Sequence, residues 1–281
     1  MSAELFFGVA GWSYKDWEGR VYPEKKPKGF HPIHYLAGFL DAVEINSTFY
    51  HPGNARNARS WAQKAAAAPG FRLTVKLWQR FTHDREEFGD DEVRQARLVP
   101  EILADAGVLG AVLIQFPWSF RNTPENRGRL FRVFEALSGL PLAVEMRHGS
   151  WDTTAFRQTL ADREVALVNV DQPVIGNSLG PSSHVTAAKG YVRFHGRNYK
   201  NWFSDNADRD SRYDYLYSEE EFKPWKESID AMRPCCDELY VIYNNHFRGQ
   251  AVANAVQMKR LFGFGVNLPA ALTGKESGPD L

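Results

Sequence analysis

GYVRFHG, residues 190–196, opens apolar and closes polar. Successive residues of a strand point to opposite faces. Arg193 and His195 therefore share one face, at the C-terminal end of a run too short for a helix and of the length of a buried strand. Seven more runs read the same way: LFFGVAGW from Leu5, AVEINSTF from Ala42, FRLTVKLW from Phe71, AVLIQFP from Ala111, LAVEMRH from Leu142, VALVNVD from Val165 and LYVIYNN from Leu239. Most intervals between them leave room for a crossover helix.

Helical stretches are predicted at 54–68, 91–106, 124–137, 153–163, 218–232 and 250–262, with a weaker one at 32–39. Ser218 followed by Glu221 forms a capping box, and Val252, Val256 and Leu261 give the last helix an apolar stripe. Eight strands alternating with about seven helices make the α/β pattern of a single-domain (β/α)8 TIM-like barrel over 1–281, with a core at about 4–263 and a tail at 264–281. A doubly wound open sheet is the alternative, but its edge strands would be shorter and more polar. The connection 171–189 carries Pro173, Gly176, Gly180 and Pro181 and reads as irregular. Connections 13–31 and 197–217 are long and rich in aromatics; following strands, they lie on the C-terminal face and are lid candidates.

Composition narrows the function. Across 281 residues, 34 basic side chains balance 34 acidic ones, which argues against coating nucleic acid or an anionic membrane by bulk charge. The adjacent Cys235 and Cys236 cannot staple distant segments and match no zinc spacing, so reduced thiols are expected. Met1-Ser2-Ala3-Glu4 does not begin a signal sequence, and no stretch approaches the roughly 18 apolar residues of a membrane span. A cytoplasmic location and no membrane partner are expected.

Most strands turn polar at their C-terminal ends. Glu44 pairs with Asn46 in parity, Glu145 with Arg147, Asn169 with Asp171, and Arg193 with His195; Lys76, Gln115 and Asn245 hold comparable positions, and strand one adds Trp12 and Ser13. If those parities face inward, one barrel mouth collects them all. Unpaired buried charge costs several kcal/mol, so the set is either a self-satisfied ion-pair network or a substrate site. His195 is the preferred acid/base group, its ordinary pKa lying near neutrality. Histidines with carboxylates also admit a divalent metal on His195, Glu145 and Asp171, although no HxH or HExxH spacing occurs. Glu44 and Glu145 could form a glycosidase pair. Trp12, Tyr50 and the other aromatics could stack on sugars or bases. No dinucleotide fingerprint is completed, and no cofactor is expected.

These residues also carry a resemblance. Gly11-Trp12-Ser13-Tyr14, VEINSTFY from Val43, Lys76 with Thr82-His83, Gln115-Phe116-Pro117, EMRHGSW from Glu145, Asp171 with Pro173, RFHGR from Arg193 and YNNH from Tyr243 are similar, in this order, to the domain of unknown function 72, or YecE-like, family. The likeness spans about residues 4–263 and departs only in details such as Met146, where the family usually has Phe. It implies a TIM-barrel-like fold and no particular activity.

The favoured expectation is an enzyme acting on a small anionic substrate, phosphorylated or carboxylated. Lys76, Arg147 and Arg193 would hold the anion, with Trp12, Asn46, Tyr50, Gln115 and Asn245 lining the site; Glu44, Glu145, Asp171 and His195 would move protons. A nucleic-acid-binding or metal-dependent endonuclease-like barrel, a glycoside hydrolase and a non-catalytic ligand-binding protein remain open.

Overall fold

The computed structural model describes residues 2–200, 202 and 209–269. Eight parallel strands close into a barrel in chain order: β1 (Glu4–Ala10), β2 (Ala42–Ile45), β3 (Arg72–Lys76), β4 (Leu109–Gln115), β5 (Leu142–Glu145), β6 (Ala166–Asp171), β7 (Lys189–Phe194) and β8 (Glu238–Tyr243). Closure pairs β1 with β8, so no strand of the barrel is an edge. Helices fill the intervals: α1 (Pro32–Leu36), α2 (Ser47–Tyr50), α3 (Ala55–Ala66), α4 (Asp90–Asp105), α5 (Pro124–Ala136), α6 (Thr154–Ala161), α7 (Arg209–Arg212), α8 (Glu219–Met232) and α9 (Gln250–Leu261). Their starts follow local chemistry. Thr123 caps α5 ahead of Pro124, and the Ser218–Glu221 capping box opens α8. The connection between β6 and β7 contains no helix, as its prolines and glycines predict.

Paired residues of parallel strands face the same side, so register fixes what points inward. Ala10 pairs with Glu44, Gln115 with Glu145, Val170 with Arg193, and Arg193 with Ile242. The floor of the barrel is aromatic: Tyr240 stacks on Phe6 at 4.9 Å and on Tyr191 at 5.9 Å between ring centres. Outward residues pack on helices, as Phe194 does on Trp225 of α8 at 5.0 Å.

Of the two aromatic connections, 13–31 is a packed strap. Trp17 is fully buried and donates its indole N–H to the His246 carbonyl at 2.7 Å, and the Tyr22 hydroxyl donates to the Trp12 carbonyl at 2.7 Å. In the second connection, residues 201 and 203–208 lie outside the described residues, as do 270–281 of the expected tail.

One glycine makes the floor possible. A Cβ built on Gly110 would fall 2.7 Å from the Tyr240 ring, which its stacking partners hold in place. Gly110→Val should therefore destabilise the barrel by about 1–3 kcal/mol through overpacking, measured by urea unfolding; wild-type stability would show that the Tyr240 ring has room to move.

Candidate functional site

Above the aromatic floor sits a layer of charge. Arg193 on β7 is fully buried and lies between two carboxylates that are themselves 0% exposed, Glu44 from β2 and Glu145 from β5. Its Nε and Nη2 donate to Glu44 at 3.0 and 2.5 Å, a two-bond fork, and its Nη1 donates to Glu145 Oε2 at 3.1 Å and to Gln115 Oε1 at 3.4 Å. The Tyr191 hydroxyl, rising from the floor, donates to Glu44 at 3.0 Å and lies 3.1 Å from the Thr74 hydroxyl. Burial opposes the charge on Arg193, but Glu44 and Glu145 outweigh it and push its pKa above the ordinary value.

The second carboxylate oxygen of Glu145 faces His195 and Arg147. Arg147 Nε forms an ion pair with Glu145 Oε1 at 2.6 Å, and Arg147 Nη1 donates to Gln172 Oε1 at 2.5 Å. His195 Nε2 stands 3.1 Å from Glu145 Oε1, while its Nδ1 stands 3.1 Å from Asn244 Nδ2 and 3.4 Å from Arg147 Nη2. Two donors stand at Nδ1; at Nε2 the Glu145 carboxylate is closer than Arg193 Nη1, which stands 3.4 Å away, and this balance favours the neutral tautomer that carries its proton on Nε2. Burial first, and then the Arg147 charge, lowers the His195 pKa to about 3. Burial alone would raise the Glu145 carboxyl, yet Arg147, His195 and Arg193 together hold it well below the carboxylate range. The Trp202 ring closes this corner, 5.7 Å from the Arg147 guanidinium carbon.

Lys76 enters from the end of β3 and differs from its neighbours. It keeps partial exposure, and its Nζ stands 4.1 Å over the Phe49 ring. Its carbonyl accepts from the Thr48 hydroxyl at 2.7 Å, but among the described residues its amine makes no hydrogen bond or ion pair. Burial and the charge on Arg193 push its pKa down to about 7, against the opposing pull of Glu44 and Glu145. His83, its ring edge-on to Phe49 with centres 5.0 Å apart, is lowered to about 4 by burial and by Lys76.

A cavity of about 390 Å³ opens beside this cluster at the ends of β1 and β2, lined by Trp12, Ser13, Asn46, Tyr50 and Trp61 among others. Phe49, the residue under Lys76, touches Tyr50 of the cavity wall at 5.2 Å. A second cavity, of about 300 Å³, lies away from the cluster between Phe156 and Leu179.

The structure thus brings together Glu44, Lys76, Gln115, Glu145, Arg147, Arg193 and His195, with Trp12, Asn46 and Tyr50 in the adjoining cavity. Two expected site residues are corrected. Asp171 points away from the barrel interior and is enclosed by four donated bonds: from Tyr217 Oη (2.7 Å), Trp225 Nε1 (2.6 Å) and Arg197 Nε (2.9 Å) and Nη2 (2.5 Å). Asn245 also faces the helices, donating to the Tyr215 carbonyl at 2.8 Å and to Asn254 at 2.9 Å. The parity assumed for β6 and for the end of β8 was off by one residue, and Gln172 and Asn244 take the inward places. Tyr191 and Thr74 join the cluster without having been singled out. Both share parity with an inward residue two positions later, Arg193 and Lys76, and that was the available signal. Among the described residues, no three or more His, Cys, Asp and Glu side chains converge as a metal donor set, and Asp171 is separated from His195 and Glu145 by its facing.

Removing Arg193 would leave two carboxylates buried without their shared cation. Arg193→Met should cost about 3–5 kcal/mol in chemical unfolding; a loss below about 1 kcal/mol would mean that the pairs contribute no more than surface ones. A second expectation concerns acid. Because His195 is lowered from 6.5 to about 3, the unfolded chain binds a proton that the fold excludes, so stability should fall as pH drops through that window. Glu145, held low, acts in the same direction below 4.5, since its stabilisation is present above the unfolded pKa and lost on protonation. Stability independent of pH between 6.5 and 4.5 would contradict a neutral, buried His195.

Known proteins share this architecture. Residues 6–275 match the family described as protein of unknown function DUF72. The chain is 30% identical over 273 residues to the UPF0759 protein YunF of Bacillus subtilis strain 168, covering 92% of this chain and 94% of that protein. It is similar to the crystal structure of a DUF72 family protein from Thermotoga maritima, with a TM-score of 0.79, 32% identity and coverage of 92% and 99% of the two chains. A DUF72 family protein from Enterococcus faecalis gives a TM-score of 0.81 at 26% identity, with coverage of 95% and 98%. On these matches the chain belongs to the DUF72 family.

Proposed function

We propose that this protein is an enzyme acting on a small anionic substrate by acid/base chemistry at the C-terminal face of the barrel, with Lys76 as the proton-transferring group. The observation that carries this reading is Lys76 itself: a half-buried residue at the inner rim whose amine has a pKa of about 7 and, among the described residues, no anionic partner within ion-pair distance. A group poised near neutrality populates both proton donor and proton acceptor forms under working conditions. A lysine serving only to tie the barrel together would face a carboxylate directly.

The surrounding groups divide the labour. Arg193 has spent its donors on Glu44 and Glu145 and is 0% exposed, so it positions those carboxylates and does not itself hold substrate. Arg147 is the anion-binding candidate: its contacts to Gln172, His195 and Glu145 leave N–H groups on both terminal nitrogens for a further acceptor. His195, neutral and hydrogen-bonded on both ring nitrogens, orients Glu145 and Arg147. The aromatic cavity beside Trp12 and Tyr50 gives the substrate a place to enter.

Glycoside hydrolysis fits less well, because Glu44 and Glu145 share one guanidinium and Glu145 is held too acidic to protonate a leaving group. The reading is tested by competitive labelling of Lys76 with an amine-specific reagent across pH, followed by peptide mapping. Half-reaction near pH 7 is expected; a midpoint in the ordinary lysine range, about 10.4, would remove Lys76 as the acid/base group.

A further inference from the structure

We propose that Lys76 is a covalent binding site for a carbonyl compound, its amine forming an imine with the carbonyl carbon of a small 2-oxo acid whose carboxylate rests against Arg147. This rests on the reading of the site as an anion-binding enzyme centre and names the class of substrate it would take. The argument begins with charge. Among the inward groups, Arg147 and Arg193 are matched by Glu44 and Glu145, and every oxygen of those two carboxylates is engaged by a guanidinium within 3.1 Å. Lys76 is the cation left over. Its Nζ faces the apolar ring of Phe49 at 4.1 Å, to which neutral His83 stands edge-on. Burial and the charges of Arg193 and Arg147 outweigh what favours the ammonium form there, the pull of Glu44 and Glu145 and the face of the Phe49 ring, so Lys76, with no carboxylate paired to it among the described residues, is a competent nucleophile.

Arg147 supplies what Lys76 does not. It stands at the end of β5, inward like Lys76 at the end of β3, is permanently charged, and has the Trp202 ring 5.7 Å from its guanidinium carbon. A permanent cation beside an uncharged amine matches a molecule that bears a carboxylate beside a carbonyl. In the reaction, the amine lone pair forms the N–C bond as the C=O π electrons move to oxygen. Both amine protons end on that oxygen, which leaves as water while the C=N bond forms.

The imine is trapped by reduction: borohydride delivers hydride to the imine carbon and nitrogen takes up a proton, giving a stable secondary amine. The purified protein is incubated separately with pyruvate, 2-oxobutyrate and 2-oxoglutarate, each with and without sodium borohydride, and digested for peptide mass mapping. The expected result, for at least one of the acids, is an adduct with the mass of the acid less one water plus two hydrogens, concentrated on the peptide carrying Lys76. In Lys76→Arg and Lys76→Met it should fall by about tenfold or more, with folding checked by circular dichroism. Adduct absent from Lys76 with all three acids, or spread evenly over surface lysines, overturns the proposal. Because mapping is done on the wild-type chain, a variant that fails to fold leaves the test intact. Protection of Lys76 from amine labelling by an unreduced 2-oxo acid separates the outcomes. Protection without trapping rejects the covalent step and keeps the anion site; neither protection nor trapping rejects both.

Discussion

One guanidinium ties three non-neighbouring strands of the barrel together. Arg193 on β7 reaches Glu44 on β2 and Glu145 on β5, and all three side chains are inaccessible to water. Desolvating such charges costs several kcal/mol per ion, repaid only where geometry is good and the remaining lone pairs find donors. Here Tyr191 covers Glu44 from below, while His195 and Arg147 cover Glu145 from the side. The aromatic floor, the Gly110 gap that admits Tyr240 and the neutral tautomer of His195 follow from the need to complete this one arrangement. A hydrophobic plug would close a barrel without this desolvation cost.

The architecture was legible because its signals are local and repeated. Eight short apolar runs, separated in all but one interval by helices, have few solutions other than a barrel. Inward groups on β2, β5 and β7 were legible for a related reason: Glu145 with Arg147, and Arg193 with His195, share parity within one run, and Glu44 holds the comparable place at its strand end. Lys76 and Gln115 followed from their place at strand ends.

Where the reading failed, the cause was non-local. On β6 the charged residue was taken to mark the inner face, but the pairing of Val170 with Arg193 places Asp171 outside. Its true partners, Arg197, Tyr217 and Trp225, arrive from 26 to 54 residues later, and no pattern near Asp171 announces them. A buried carboxylate satisfied by four donors outside the barrel and one satisfied by an inward arginine look alike in one dimension. The end of β8 repeats the problem, since Asn244 and Asn245 are chemically identical and only register assigns one to His195 and the other to Asn254. Tyr191 is different: its parity with Arg193 was visible, and it was passed over because a tyrosine in an apolar strand reads as core.

The same balance that stabilises the cluster lowers the pKa of Lys76. With each carboxylate oxygen already engaged by an arginine, a further cation at the rim meets positive neighbours and partial burial with no anion of its own, and the proton is the component it can give up. Supplying a third carboxylate would restore an ordinary ammonium and remove the reactivity; removing either arginine would release a carboxylate to capture Lys76. The lowered pKa of Lys76 therefore comes from its burial and from the whole ring of inward charges together.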